Sequence, residues 1–399
     1  MPRSSFDATN SLLGYIYQIR YGLLVSLEKM RDIDDPDDYF VSIESLDDIA
    51  FDKQGSPHEM LQTKYHSSPG NLNNRSPDIW KTIRVWIESF KNGQLDFDAC
   101  TLFLITTETI GSGSFAELLS NNNSKRNPSD ALALSNEITS SKASKENEKA
   151  FDAFNSLTES EKLKLLKSIY ILDNAENLVD IEKHLKKQLV GIVREQQLSP
   201  LLSRLEGRWF STVIEVLEQG NGRICIGELV DVIDDLREQF LPSNLPDDYS
   251  SADVDELLFN EEDRTFIQQL KIIGAGDKLV KRAVMDFYRS SAQRTKWIDD
   301  GLLHHGELKA YSQKLVEEWE LHMGFIEAKL ELEADGCEKR AGLELYKVCQ
   351  TEGAKPIRDS FSQPFFSRGS YHNLADLLEI GWHPEFKSLI NSSKGSKVA

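Results

Sequence analysis

The sequence predicts two domains of different class, an α/β domain in the first half and a mostly α-helical domain in the second. Three observations carry this. Between Tyr39 and Leu172, short runs rich in β-formers are interleaved with helical patterns. From Gln196 onward strand signals largely stop, and apolar residues recur with helical periodicity. At 399 residues the chain is also long enough to bury two cores. The expected division is 1–195 for the α/β domain and 196–391 for the helical domain. The small, polar residues 392–399 are expected to form a disordered tail.

The first helix is expected over Asn10–Arg31, with Leu12, Leu13, Ile16, Ile19, Leu23, Leu24 and Leu27 as its apolar face. Tyr39–Ile43 alternates as a strand does, Ile49–Phe51 is a short apolar run, and Met60–Tyr65 forms a third strand after a turn at Lys53–Pro57. The polar loop Ser67–Arg75 leads to an amphipathic helix, Ser76–Asn92, with Ile79, Trp80, Ile83, Trp86, Ile87 and Phe90 inward. Ala99–Thr107 is nearly all apolar, as a strand covered on both faces must be. Gly111–Ser114 is a turn capping a helix at Phe115–Leu119, and not a phosphate loop. Residues 121–148 are polar and poor in aromatics, an insertion of loop and surface helix. A helix at Ser160–Lys167, a strand at Ser168–Leu172 and a helix at Asn177–Glu195 complete the first half. In the second half, helices are expected over Leu198–Gln219, Ile226–Phe240, Glu262–Ile273, Leu279–Leu303, Glu307–Asp335 and Cys337–Glu352. A Pro/Asp-rich crossing, Leu241–Ser251, lies among them.

The residues that can carry chemistry cluster in Tyr39–His66. Alternation along a strand sets Gln62 and Lys64 on one face, two residues apart. Asp48 stands just before the apolar run Ile49–Phe51, with Asp47 beside it and Glu44 at the end of the preceding strand. An acid at a strand edge, a hairpin and a Q-x-K strand resemble the PD-(D/E)xK nucleases, in the variant where Gln replaces the second acid. That resemblance implies a restriction-endonuclease-like fold and a hard divalent cation, Mg²⁺ or Mn²⁺, held by Asp48, Glu44 and Gln62. Lys64 would polarise the attacking water or the phosphate. Asp47 is the alternative to Asp48. Gly14–Gln18 (GYIYQ) resembles the helix that lends an acid to Mrr-like sites, with Gln18 where the Glu would stand. The competing reading of the same residues is a solvated Asp-rich loop and an ordinary strand.

Composition excludes several classes. No apolar run approaches the roughly 18 residues of a membrane span, and Met1–Asn10 lacks the apolar core of a signal peptide. The four cysteines have no C-x-x-C spacing and are expected as buried thiols of a cytoplasmic protein. There is no Walker motif. A net charge of −19 argues against a free-standing nucleic-acid binder, because such affinity comes from Lys and Arg neutralising phosphates.

The second half is similar to the C-terminal domain of ABC-three-component, or Lamassu-type, anti-phage defence systems. The blocks that carry this include RLEGRWF (Arg204–Phe210), FIQQLKIIG (Phe266–Gly274), AVMDFYRSSAQRTKWIDDGLL (Ala283–Leu303), YSQKLVEEW (Tyr311–Trp319) and RGSYHNLADLLEIGWHP (Arg368–Pro384). GYIYQ, IESLDDI (Ile43–Ile49) and QTKYH (Gln62–His66) resemble the double-stranded-DNA endonuclease domain of cyclic-oligonucleotide-activated defence nucleases. Together these imply the A subunit of such a system. Its partners would be an SMC-like ABC ATPase and a small third subunit, it would act on double-stranded DNA, and it would be a homo-oligomer when active. The helix Ala283–Leu303, centred on Tyr288, Arg294 and Trp297, is the expected ATPase-docking element. Two other classes stay open: a nuclease-like fold that only docks or senses, and a phosphodiesterase acting on RNA or nucleotides.

Overall fold

A computed structural model describes residues 9–44, 47–220, 222–253, 264–331 and 337–395. The chain divides into two compact units, Met1–Asp235 and Leu236–Ala399.

Unit 1 opens with α1 (Thr9–Asp32), then β1 (Tyr39–Ile43), β2 (Ile49–Lys53) and β3 (Ser56–Lys64). The short β4 (Asn71–Leu72) precedes α2 (Pro77–Lys91), β5 (Thr101–Thr106) and the short β6 (Thr109–Ile110). Four helices follow, α3 (Phe115–Leu118), α4 (Pro128–Ser140), α5 (Glu148–Asn155) and α6 (Glu159–Ser168). The unit continues with β7 (Ile169–Leu172), α7 (Leu178–Gln188), α8 (Leu198–Gln219) and β8 (Ile224–Cys225), and the division between units falls in α9 (Ile226–Gln239).

Six strands form one mixed sheet in the order β7-β5-β3-β2-β1-β8. The β8-β1-β2-β3 side is antiparallel and the β3-β5-β7 side parallel. The β2–β3 turn is tighter than expected, since Gln54 and Gly55 both take positive φ (50° and 91°), so strand pairing resumes at Ser56. Two such residues match the twist of the strands they join, and glycine takes the second without strain. Asp52 Oδ1 accepts from Gly55 N at 2.7 Å, and Pro57 is tolerated because the register shifts beside it, between Phe51 and Asp52.

One sheet face packs under α2 and α4–α6. Ala50, Met60, Leu102 and Leu104 meet Trp80, Trp86, Phe151 and Phe154 in one core, and Trp80 stacks on Phe115 with ring centroids 5.4 Å apart. The insertion is therefore part of the core, since α4 buries Ala131 and Ile138 there. At the β1–β3 side Lys29 of α1 pairs with Glu59 of β3 at 2.8 Å. The buried face of α1 differs from the expected stripe. Leu12 and Ile16 are exposed, whereas Tyr17, Gln18 and Tyr21 are buried.

The boundary is displaced from the expected 195/196, and the cause is physical. The Trp209 side chain of α8 is buried and donates from Nε1 to Ile19 O of α1 at 2.9 Å. Arg20 pairs with Glu206 at 2.6 Å, and β8 adds an edge strand to β1. Residues 198–225 thus complete the first core.

Unit 2 contains α10 (Thr265–Ile272), α11 (Asp277–Asp299), α12 (Glu307–Leu330), α13 (Glu338–Gln350), α14 (Pro364–Asp376) and α15 (Phe386–Gly395). Helix α14 is its axis, contacted by α10, α11, α12 and α13. The expected ends of two helices, at 262–263 and 332–335, lie outside the described residues, as do 396–399. The expected disordered tail is corrected in part, because α15 continues through Gly395. Of the expected docking centre, Trp297 is internal, fully buried and donating to Pro246 O at 2.8 Å, whereas Tyr288 and Arg294 are half-buried and Arg294 reaches Ser370 Oγ. His372 is buried within α14, and burial pushes its imidazole down to about 3, so it is neutral.

Candidate functional site

The residues singled out by the sequence meet at the junction of α1, β2 and β3. The pairing of Ile49 with Leu61, carried one step further, sets Asp48 beside Gln62. Asp48 is half-buried, and its Oδ2 accepts two hydrogen bonds from Thr63, from N and Oγ1, each at 2.8 Å. Its Oδ1 has no protein partner among the described residues. Gln18, buried in α1, donates from Nε2 to the Asp48 carbonyl at 2.8 Å and Glu44 N donates to the same oxygen at 3.1 Å. Gln18 therefore braces the main chain behind Asp48.

Asp47 is placed differently. It is buried, its Oδ2 accepts from Trp86 Nε1 at 2.6 Å and its Oδ1 accepts from Asp48 N at 3.1 Å. Burial pushes its carboxyl up to about 7, a rise the Asp48 charge adds to and that the Trp86 bond and the Lys64 cation oppose. Both Asp47 oxygens are taken by hydrogen bonds, whereas Asp48 Oδ1 has no protein partner among the described residues, so Asp48 is the better candidate of the two.

Lys64 is half-buried at the end of β3, and its ammonium donates to Thr63 O at 3.2 Å. Gln62 is buried on the same strand. Glu44 is exposed, with a left-handed backbone at φ 55°. Glu44, Asp47 and Asp48 do not gather into a three-carboxylate group among the described residues. The expected donor set thus fits a cation in part: Asp48 and Gln62 are adjacent, while Glu44 and Asp47 do not complete a three-acid cluster with Asp48 among the described residues. Ser45 and Leu46, between Glu44 and Asp47, lie outside the described residues.

Sequence reasoning missed Thr63 and Trp86, which hold the two aspartates. Trp86 was legible only as a core residue of its helix, and the middle residue of Q-x-K carries no signal of its own. It also missed the aromatic wall beside Lys64, where Tyr65 stacks on Tyr17 (5.0 Å) and Tyr17 on Tyr21 (5.6 Å).

Residues 266–390 match C-terminal domain 7 of the ABC-three component (ABC-3C) systems. The match falls in the helical unit, takes up less than a third of the chain and supports a component of an ABC-3C defence system. Two solved structures are similar over much of the chain, both of Cap4 SAVED/CARF-domain containing receptors. The Acinetobacter baumannii receptor with the cyclic trinucleotide 3'3'3'-cAAA is 11% identical, with 74% of this chain and 67% of that chain covered, at a TM-score of 0.31. The Moraxella osloensis receptor is 12% identical, with 73% and 69% covered, at a TM-score of 0.30. These scores are too low to establish a shared fold. No curated protein matches the chain significantly. No described helix is long and apolar enough to cross a membrane.

Proposed function

We propose that the chain is the nuclease effector of an ABC-3C, Lamassu-type anti-phage system, and that unit 1 hydrolyses DNA phosphodiesters with Mg²⁺ or Mn²⁺. The observation that carries this is the convergence of Asp48, Gln62 and Lys64 where an antiparallel hairpin joins a parallel sheet, the order expected of a PD-(D/E)xK fold. Asp48 Oδ1 and the Gln62 carbonyl would hold the cation, which would lower the pKa of a bound water and neutralise a phosphate oxygen. Thr63 and Gln18 keep Asp48 in place, and Lys64 supplies a fixed positive charge where negative charge develops. The C-terminal match supports partner subunits, an ABC ATPase among them. An SMC-like partner and a small third subunit belong to the same proposal.

The test is cleavage of linear duplex DNA by the full chain in Mg²⁺, alone and with its partner subunits. Lys64→Ala is expected to fold normally and lose about 10² or more in rate, the scale of one lost transition-state contact. Undiminished cleavage by Lys64→Ala overturns the assignment.

One observation favours a second reading, a docking or sensing subunit without chemistry. Asp48 is already engaged by Thr63, and Glu44 and Asp47 do not form a three-acid cluster with it among the described residues. On that reading the wild-type complex shows no Mg²⁺-dependent cleavage, while Lys64→Ala still assembles with its partners.

A further inference from the structure

Two residues beyond the end of β3 lies His66, and two beyond the end of β5 lies Glu108. The strands are parallel, with Lys64 opposite Thr106, so His66 and Glu108 leave the sheet side by side. Thr107 ties the two chain ends together. Its N donates to Lys64 O at 3.3 Å, and its Oγ1 accepts from His66 N at 2.9 Å. Asp78 comes from a third element, the first turn of α2, which Pro77 starts. His66 Nε2 and Asp78 Oδ2 are 2.7 Å apart. One donor atom each from His66, Asp78 and Glu108 lie within 4.8 Å of one another, and all three residues are half-buried.

Two features go beyond proximity. The cluster holds two carboxylates against a single imidazole, and among the described residues no Lys or Arg pairs with either Asp78 or Glu108. Second, the 65–70 loop closes on Glu108 at a glycine. A Cβ on Gly70 would stand 3.1 Å from Glu108 Oε1, while Thr109 N donates to Gly70 O at 3.0 Å. The loop main chain is thereby fixed close to the carboxylate.

We propose that His66, Asp78 and Glu108 bind a divalent transition-metal cation of the Zn²⁺ or Mn²⁺ class, at a site distinct from Asp48. One imidazole nitrogen and two carboxylate oxygens suit such ions, whereas Mg²⁺ prefers oxygen ligands alone. Ligands about 2.0–2.2 Å from a tetrahedral metal stand roughly 3.3–3.6 Å apart, so binding requires the His66–Asp78 pair to open slightly and Glu108 to draw in by side-chain rotation. The ion takes the place of the proton that bridges His66 and Asp78. Three protein ligands leave a coordination position open to water or to an anionic oxygen. The proposal does not depend on nuclease activity, since its readout is binding.

The experiment titrates the full-length protein with MnCl₂, following free Mn²⁺ by electron paramagnetic resonance, with ZnCl₂ as displacer. Circular dichroism verifies the fold of each variant. Wild type is expected to show a binding event that His66→Ala and Glu108→Gln each weaken by about tenfold or more. Asp48→Asn is expected to keep that event, even if it loses a separate one. The near-isosteric Glu108→Gln keeps the test decisive should His66→Ala fail to fold. The proposal is overturned if wild type binds neither ion, if both variants bind as wild type does, or if Asp48→Asn removes the same event.

Discussion

Asp47 is the residue at the site whose ionisation the fold opposes. Unfolded, its carboxyl ionises near 3.8, as an ordinary aspartate does, whereas folded it holds its proton to about 7. The stability it allows is full below pH 3.8 and is lost as pH rises toward 7, because over that window only the folded state keeps the proton. The loss amounts to at most roughly 4 kcal/mol. Wild type should therefore lose more stability between pH 4 and pH 8 than Asp47→Asn, measured as the shift of the denaturant midpoint of unit 1. Equal pH slopes in the two proteins would remove the premise that Asp47 is buried and protonated.

Helix packing in unit 2 turns on α14, which buries Phe365, Phe366, Ser367, Gly369, Ser370, Tyr371, His372, Leu374 and Ala375. Gly369 is its point of closest approach to α11. A Cβ there would lie 2.0 Å from Asp286 O and 2.2 Å from Ser290 Oγ, and backbone cannot yield as a flexible side chain does. Gly369→Ala should destabilise unit 2 by about 1–3 kcal/mol or more through overpacking. Gly207→Ala in α8, where a Cβ meets nothing within 4 Å, should instead stabilise by about 0.5–1 kcal/mol through helix propensity. Thermal unfolding of both variants checks the pair, and a neutral Gly369→Ala would contradict the packing described.

For the whole molecule the governing quantities are charge and the extent of the first core. With a net charge of −19, the isolated chain repels phosphates, so the proposed nuclease should cut duplex DNA weakly alone and gain from self-assembly or from a partner that brings the DNA. Cleavage measured against protein concentration, with oligomeric state followed in parallel, checks this. Efficient cutting by a monomer at nanomolar concentration would refute it. The core makes a separate prediction. A fragment ending at residue 195 lacks Trp209 and β8, and should unfold at markedly lower denaturant than one ending at residue 239. Losing a buried Trp alone costs about 3–5 kcal/mol.

The sequence by itself determined the elements whose burial is one-sided. Helix α8 falls on its expected bounds and α2 buries its expected stripe, because a helix with one wet face writes its period into the chain. It also singled out Asp48, Gln62 and Lys64, since strand parity is a local property. Helix α14 was not legible from periodicity. Nine of its thirteen residues are buried, so it has too narrow a polar face to set a period, and its small residues are dictated by neighbours far along the chain. Tertiary structure alone decided that Gln18 braces a carbonyl, that Asp47 is sealed beneath Trp86, and that 198–225 belong to the first core. It also decided that His66, Asp78 and Glu108 meet, residues from three elements whose approach depends on the parallel pairing of β3 with β5. Each of these rests on contacts between segments remote in sequence, and local pattern carries no record of such distances.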